Sequence, residues 1–257
     1  MLVHGRSRER GEQTVAEIRT KTGSDALHLD LADLADLSQV ARLADEVAEA
    51  HGELDVVINN AGIGSGLPQG RERQESRDGY ELRFAVNYLA GFLLTQRLLP
   101  VLRANAPARI VNVSSLGQQA IDLEDVMLTR GYSGIRAYCQ SKLAQAMHAI
   151  ELSERVSPDE VTANSLHPGT YMPTKMVLEE IGRSFDTLEF GAANVVRLAT
   201  APELAGVSGR FFDRDREAAA DPQAYDAEAR AWLWELSERL VTQALAPGAA
   251  QRGLPSS

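Results

Sequence analysis

Short, β-branched apolar runs recur along this chain, each followed by a stretch with helical spacing. They fall at residues 1–4 (MLVH), 26–31 (ALHLDL), 54–59 (LDVVIN), 110–113 (IVNV) and 161–167 (VTANSLH), with a weaker one at 209–213. Between them the spacing predicts helices over 7–21, 37–50, 79–105, 138–156, 191–200 and 224–243. Ser7 is placed to cap the first helix, with Val15 and Ile18 facing inward. In the second helix Val40, Leu43 and Val47 share an inner face, and Gly52 closes it. Strands alternating with helices, and apolar almost throughout, read as a parallel doubly wound α/β sheet with helices on both faces. Such sheets bind ligands at the carboxyl ends of their strands. Arg6, Asp30, Asn59, Ser115 and His167 all stand at or just past a strand end.

Composition narrows the function classes. The net charge of −10 disfavours a nucleic-acid or anionic membrane partner. Cys139 is the single cysteine and excludes an intrachain disulfide. The histidines are scattered, with no HExxH or CxxC pattern for a metal. No apolar run of membrane-spanning length and no signal-peptide core is evident, so the expectation is a cytoplasmic protein. Residues 1–245 read as one domain and 246–257 as a frayed tail.

The stretch from Arg109 to Lys142 carries the chemistry. The run Ile110, Val111, Val113 ends in Ser114–Ser115, as a buried parallel strand would. Tyr138 and Lys142 stand four apart, so on a helix they share a face. A lysine ammonium beside a phenol favours the phenolate, which predicts a depressed Tyr138 pKa suited to proton transfer.

A strand-end serine followed by Tyr-x-x-x-Lys resembles the short-chain dehydrogenase/reductase family, and further motifs extend the resemblance over residues 2–213. It implies a Rossmann-like fold and hydride transfer between a nicotinamide cofactor and a small carbonyl or alcohol substrate. Tyr138 matches the family's general acid/base, Ser115 the serine that orients the substrate oxygen, and Lys142 the lysine on the nicotinamide ribose. Asn87, in FAVNYLAG, matches the asparagine that orders a water in the proton relay. For the cofactor, the resemblance places Asp30 and Leu31 near adenine, and Asn59, Ala61 and Gly62 of the NNAG motif beneath the dinucleotide. Pro168, Gly169 and Thr170 fall near the carboxamide. The family's next threonine is replaced by Pro173, with Thr174 one place later. At the end of the first strand the residue that selects NAD is Gly5, not an acid, and Arg6 follows, which favours NADP. A long interval from Ser115 to Tyr138, with Tyr132 inside it, resembles the retinol-dehydrogenase-like branch. Residues 171–190, rich in Met and Phe, read as a substrate lid. By resemblance, the long helices form a homodimer or homotetramer interface.

One family element is not in this sequence. The TGxxxGxG strand–turn–helix unit that holds the pyrophosphate should precede residue 1. Two readings stay open: a start or boundary that omits this unit, or a chain that lacks it and binds cofactor poorly. The second leads to an alternative function, a cofactor-impaired binding or regulatory protein on the same scaffold.

Overall fold

The run ARIVNV alternates between two buried faces, and that alternation sets the architecture. In the computed structural model, which describes residues 1–66 and 72–247, it forms β4 (Ala108–Val113). Ala108 and Ile110 enter one apolar cluster, and Val111 and Val113 enter a second on the opposite face. A strand buried on both sides belongs inside a parallel sheet. β4 pairs in parallel with β3 (Val56–Asn59) and with β5 (Val161–His167). β5 then pairs with β6 (Phe211–Asp213), and an antiparallel β7 (Arg216–Ala218) ends the sheet. One face is covered by α2 (Leu37–Ala50), α3 (Ala90–Ala104), α4 (Gly134–Arg155) and α7 (Ala227–Leu245). The other face receives α6 (Leu188–Thr200) through Leu198 and Ala199.

The N-terminal elements stand apart. β1 (Leu2–Gly5) and β2 (His28–Leu31) form their own parallel pair, joined by α1 (Arg8–Thr22). Among the described residues neither β1 nor β3 is paired along its second edge, and Ile58 of β3 is 42% exposed. The expectation of a buried first strand is therefore corrected: β1 is half-buried and its His4 is exposed. Val15 and Ile18 face the pair but are only half-buried, because a two-stranded sheet offers α1 little area. Gly11, pressed on Leu29, is the one buried residue of α1.

Other boundaries move for local reasons. The helix expected from residue 79 starts later, because Gly79 is a turn at φ +82° and Glu75 bridges Glu81. The chain then passes through a π-helical turn, Phe84–Leu89, into α3. The span Phe84–Ala104 is long and apolar enough to cross a membrane, contrary to the reading that no such run exists. More than half of it is buried, and it packs on α2 and β4 as a core helix. α4 begins at Gly134 rather than Tyr138, since the Ser133 hydroxyl accepts from the Arg136 N–H. A short helix, α5 (Lys175–Glu180), and β7 were not foreseen. Residues 67–71 of the polar loop and 248–257 of the tail lie outside the described residues.

Asp36 caps α2 from a buried position. Its carboxylate accepts from the Ser38 N–H (3.1 Å), the Ser38 hydroxyl (2.6 Å) and an Arg77 N–H (3.1 Å). Asp36→Ala should lower stability by about 1–2 kcal/mol, which in a domain of this size moves the thermal midpoint down by about 2–4 °C per kcal/mol. An unchanged melting curve would contradict this account of the cap.

Candidate active site

The two serines at the end of β4 divide their labour. Ser114 is buried and its hydroxyl donates to the Lys142 carbonyl (2.6 Å), stitching the strand end to α4. Ser115 is half-exposed, accepts from the Gly117 N–H (3.0 Å), and turns its hydroxyl to the Tyr138 phenol. One turn along α4, Lys142 Nζ lies 5.8 Å from the centre of the Tyr138 ring. Lys142 is 5% exposed, and its ammonium donates to the Val113 carbonyl (2.8 Å) and to Gln145 Oε1 (2.9 Å). Burial brings its pKa down from an ordinary 10.5 to about 8.

Tyr138 departs from expectation. Burial raises its pKa, only partly offset by the hydrogen bond from Ser115, while Cys139, Glu180 and Tyr171 push it further up. The predicted depression by Lys142 is absent because the ammonium is committed to Val113 and Gln145 and is itself desolvated.

Asn87 sits in the π-helical turn, a distortion that often marks a functional position. Its Oδ1 accepts from the Ile63 N–H (2.7 Å), and its Nδ2 donates to the Ile63 carbonyl (3.0 Å) and to Ser141 Oγ (2.9 Å). It thus clamps the loop that follows β3. Gly62 passes so close that a Cβ would stand 3.1 Å from Asn87 Oδ1 and 3.6 Å from Lys142 Nζ. Asn59 donates to Asn112 Oδ1 (2.9 Å) and Thr95 Oγ1 (3.1 Å), tying β3 to β4 and α3. Ala61 is exposed beside Gly62.

At the end of β5, Asn194 holds the Pro168 carbonyl (2.8 Å) and Gly169 lies against Asp186 and Met172. Thr170 is fully engaged: its N–H donates to Asp186 (2.7 Å) and its hydroxyl meets His167 (3.1 Å) and Arg214 (2.9 Å). Thr174 caps α5, its hydroxyl accepting from the Val177 N–H. Tyr138, Lys142, Ser115, Asn87 and the 59–62 loop are therefore brought together.

Arg6, Asp30 and Leu31 are not. They lie on the separate β1–β2 pair and, among the described residues, make no hydrogen bond to that group. Arg6 is exposed, 3.8 Å from Asp33, and the Leu31 carbonyl accepts from Arg42 (3.1 Å). Asp30 Oδ2 is buried and, among the described residues, has no hydrogen-bond partner.

Two residues of the site were missed. Arg83 is buried and donates to the Gly64 carbonyl (2.9 Å), the Ser65 carbonyl (3.1 Å) and the Tyr132 hydroxyl (2.8 Å). A lone arginine at the mouth of an apolar helix was a signal for it. Tyr132, whose pKa burial pushes up to about 12, bridges Arg83 and Glu81 and so is structural. Glu180 reaches the same loop from α5 and has no sequence signal.

A nicotinamide dinucleotide fits part of this set. Lys142, Tyr138 and the 59–62 loop suit its ribose and nicotinamide end, and the orphan oxygen of Asp30 suits an adenine amine. Among the described residues, no glycine-rich turn feeds a helix N-terminus for the pyrophosphate. The sequence pattern of the short chain dehydrogenase family matches residues 1–182. The chain belongs to this family. It is 36% identical to mouse retinol dehydrogenase 13 over 96% of this chain and 78% of that protein. It is 35% identical to mouse polyprenol dehydrogenase over 94% and 76% of the respective chains. A solved structure of an uncharacterized protein from Mycobacterium Paratuberculosis matches with a TM-score of 0.72 and 30% identity, over 94% of this chain and 83% of that one. These relatives place it in the retinol-dehydrogenase-like branch of a family of NAD(P)-dependent oxidoreductases, with its Rossmann-like fold.

Lys142 gives a signed pH effect. Its folded pKa, about 8, lies below the unfolded 10.5, so between the two the unfolded chain holds more proton and stability rises with pH. From about pH 7.5 to 9.5, the wild-type chain should gain about 1–2 kcal/mol relative to Lys142→Met in urea unfolding. A constant difference would show that the ammonium is not buried at this cost.

Proposed function

We propose that this protein is an NADP(H)-dependent oxidoreductase acting on a carbonyl or alcohol, with Tyr138 as general acid/base. The carrying observation is the buried Lys142 ammonium 5.8 Å from the centre of the Tyr138 ring, with the Ser115–Gly117 turn beside that ring: a Cβ on Gly117 would stand 3.5 Å from Ser115 Oγ and 3.9 Å from Tyr138 Cε1. Bound NADPH would supply the hydride. Its nicotinamide ribose falls to Tyr138 and Lys142, and its carboxamide end to Pro168, Gly169 and Thr170. The raised pKa of Tyr138 keeps the phenol protonated at neutral pH, which suits proton donation to a carbonyl oxygen. Ser115 donates a hydrogen bond to the same oxygen. Asn87 holds the loop on which this geometry stands.

Charge supports NADP over NAD. Arg6 is loosely held at the end of β1, and no acid occupies Gly5. The names of the retinol and polyprenol dehydrogenases support an apolar substrate, as do the exposed Leu178, Phe185 and Phe190 of the lid. The acidic charge and lone cysteine support a cytoplasmic setting for one domain over 1–245, working as a homodimer or homotetramer.

Tyr138→Phe should lower kcat for aldehyde reduction about 10²–10⁴-fold with little change in folding. Near-full turnover would overturn the role given to Tyr138. Arg6→Glu should lower the preference for NADPH over NADH about tenfold, as a fraction of a charge-assisted pair to phosphate. An unchanged ratio of kcat/KM values for the two cofactors would remove Arg6 from the site.

A further inference from the structure

The loop after β3 is gripped from three directions, and one grip comes from the lid. Asn87 holds Ile63, and Arg83 holds the carbonyls of Gly64 and Ser65. Glu180, at the end of α5, lays its carboxylate on the same loop. Its Oε2 accepts from the Ser65 N–H (3.2 Å) and the Ser65 hydroxyl (2.7 Å), and its Oε1 accepts from the Gly66 N–H (2.7 Å). The loop is shaped to admit it: a Cβ on Gly64 would collide with Glu180 Oε1 and stand 2.7 Å from Met176 Cγ.

Little else fixes the position of α5. None of its residues is buried, and a helix this short has no stability of its own. At its base the lid is pinned by the Phe185 N–H on the Tyr171 carbonyl (3.0 Å) and the Asp186 N–H on the Thr170 carbonyl (3.1 Å). Arg214 spans Thr170 and Asp186 there. A base tied in this way, with a free-standing tip, leaves the Glu180 contact as the closure.

We propose that Glu180 is a positioning residue that latches the lid over Tyr138, and that its carboxylate excludes anionic substrates from the cleft. The latch follows from the geometry alone, whereas the selectivity rests on the oxidoreductase reading. Gly64, which meets Glu180, lies two residues after Gly62, where a Cβ would stand 3.6 Å from Lys142 Nζ, so the latch closes beside the Tyr138–Lys142 pair. The groups acting on Tyr138 are Ser115, Lys142, Cys139, Tyr171 and Glu180. Of these, Glu180 is the carboxylate. Its charge raises the Tyr138 pKa, so its removal moves the titration of Tyr138 to lower pH.

The test compares Glu180→Gln and Glu180→Ala with the full chain in two ways. Hydrogen exchange of residues 171–185 and of the Ser65 and Gly66 amides should be about tenfold faster in Glu180→Ala. Unchanged exchange in both variants overturns the latch, whatever the enzyme does. Turnover is then measured with an uncharged aldehyde and with one of like size bearing a carboxylate. Glu180→Gln should raise kcat/KM for the acid relative to the neutral aldehyde about tenfold, and move the Tyr138 limb of the pH profile to lower pH. An unchanged ratio overturns the selectivity. If the wild-type chain reduces neither aldehyde while exchange responds, the selectivity falls with the oxidoreductase reading and the latch stands.

Discussion

A buried ammonium organises this protein. Lys142 enters the space between α4 and the end of β4, where an unpaired charge would be prohibitive. The surroundings are built to meet it. Val113 offers its last strand carbonyl and Gln145 its side-chain oxygen. Ser114 ties the Lys142 backbone to the strand, and Asn112 ties Gln145 through its carbonyl (3.0 Å). These contacts fix the register of α4 against β4, and that register presents Tyr138 to Ser115.

The loop from Asn59 to Gly66 forms the opposite wall, and it is over-determined. Asn59 anchors its start in the sheet, Asn87 clamps Ile63, Arg83 takes two carbonyls, and Glu180 takes two amides. A segment without regular structure is thus held by side chains from two helical elements, the turn that carries Arg83 and Asn87 and the short helix α5. The π-helical turn at Phe84–Leu89 matters here, because it aims Asn87 at the loop while the residues around it stay in the core. Fixed donors and acceptors of this kind lower the reorganisation that a reaction must undergo.

The sheet was largely legible in the sequence, because β2 through β5 carry an apolar period that only a buried or half-buried strand explains. Tyr138 and Lys142 were legible because their helical spacing and the strand-end Ser115 coincide. What the sequence hid depends on longer-range facts. The Tyr138 pKa rises because the phenol is buried, and Lys142 Nζ donates to Val113 and Gln145; spacing encodes neither. α5 has no buried residue and β7 has only three residues, so neither leaves a periodic signature. Glu180 is one acid among several in the lid until its contact with Ser65 is seen.

The central claim is that this chain moves hydride at a site where Tyr138 supplies the proton. The most direct measurement is deuterium transfer from NADPH carrying deuterium at both positions of nicotinamide C4 to an apolar aldehyde, read by mass spectrometry of the alcohol. The account predicts one deuterium on the carbinol carbon of the product with the wild-type chain. An alcohol without deuterium, or no alcohol at all with correctly folded protein, would contradict it.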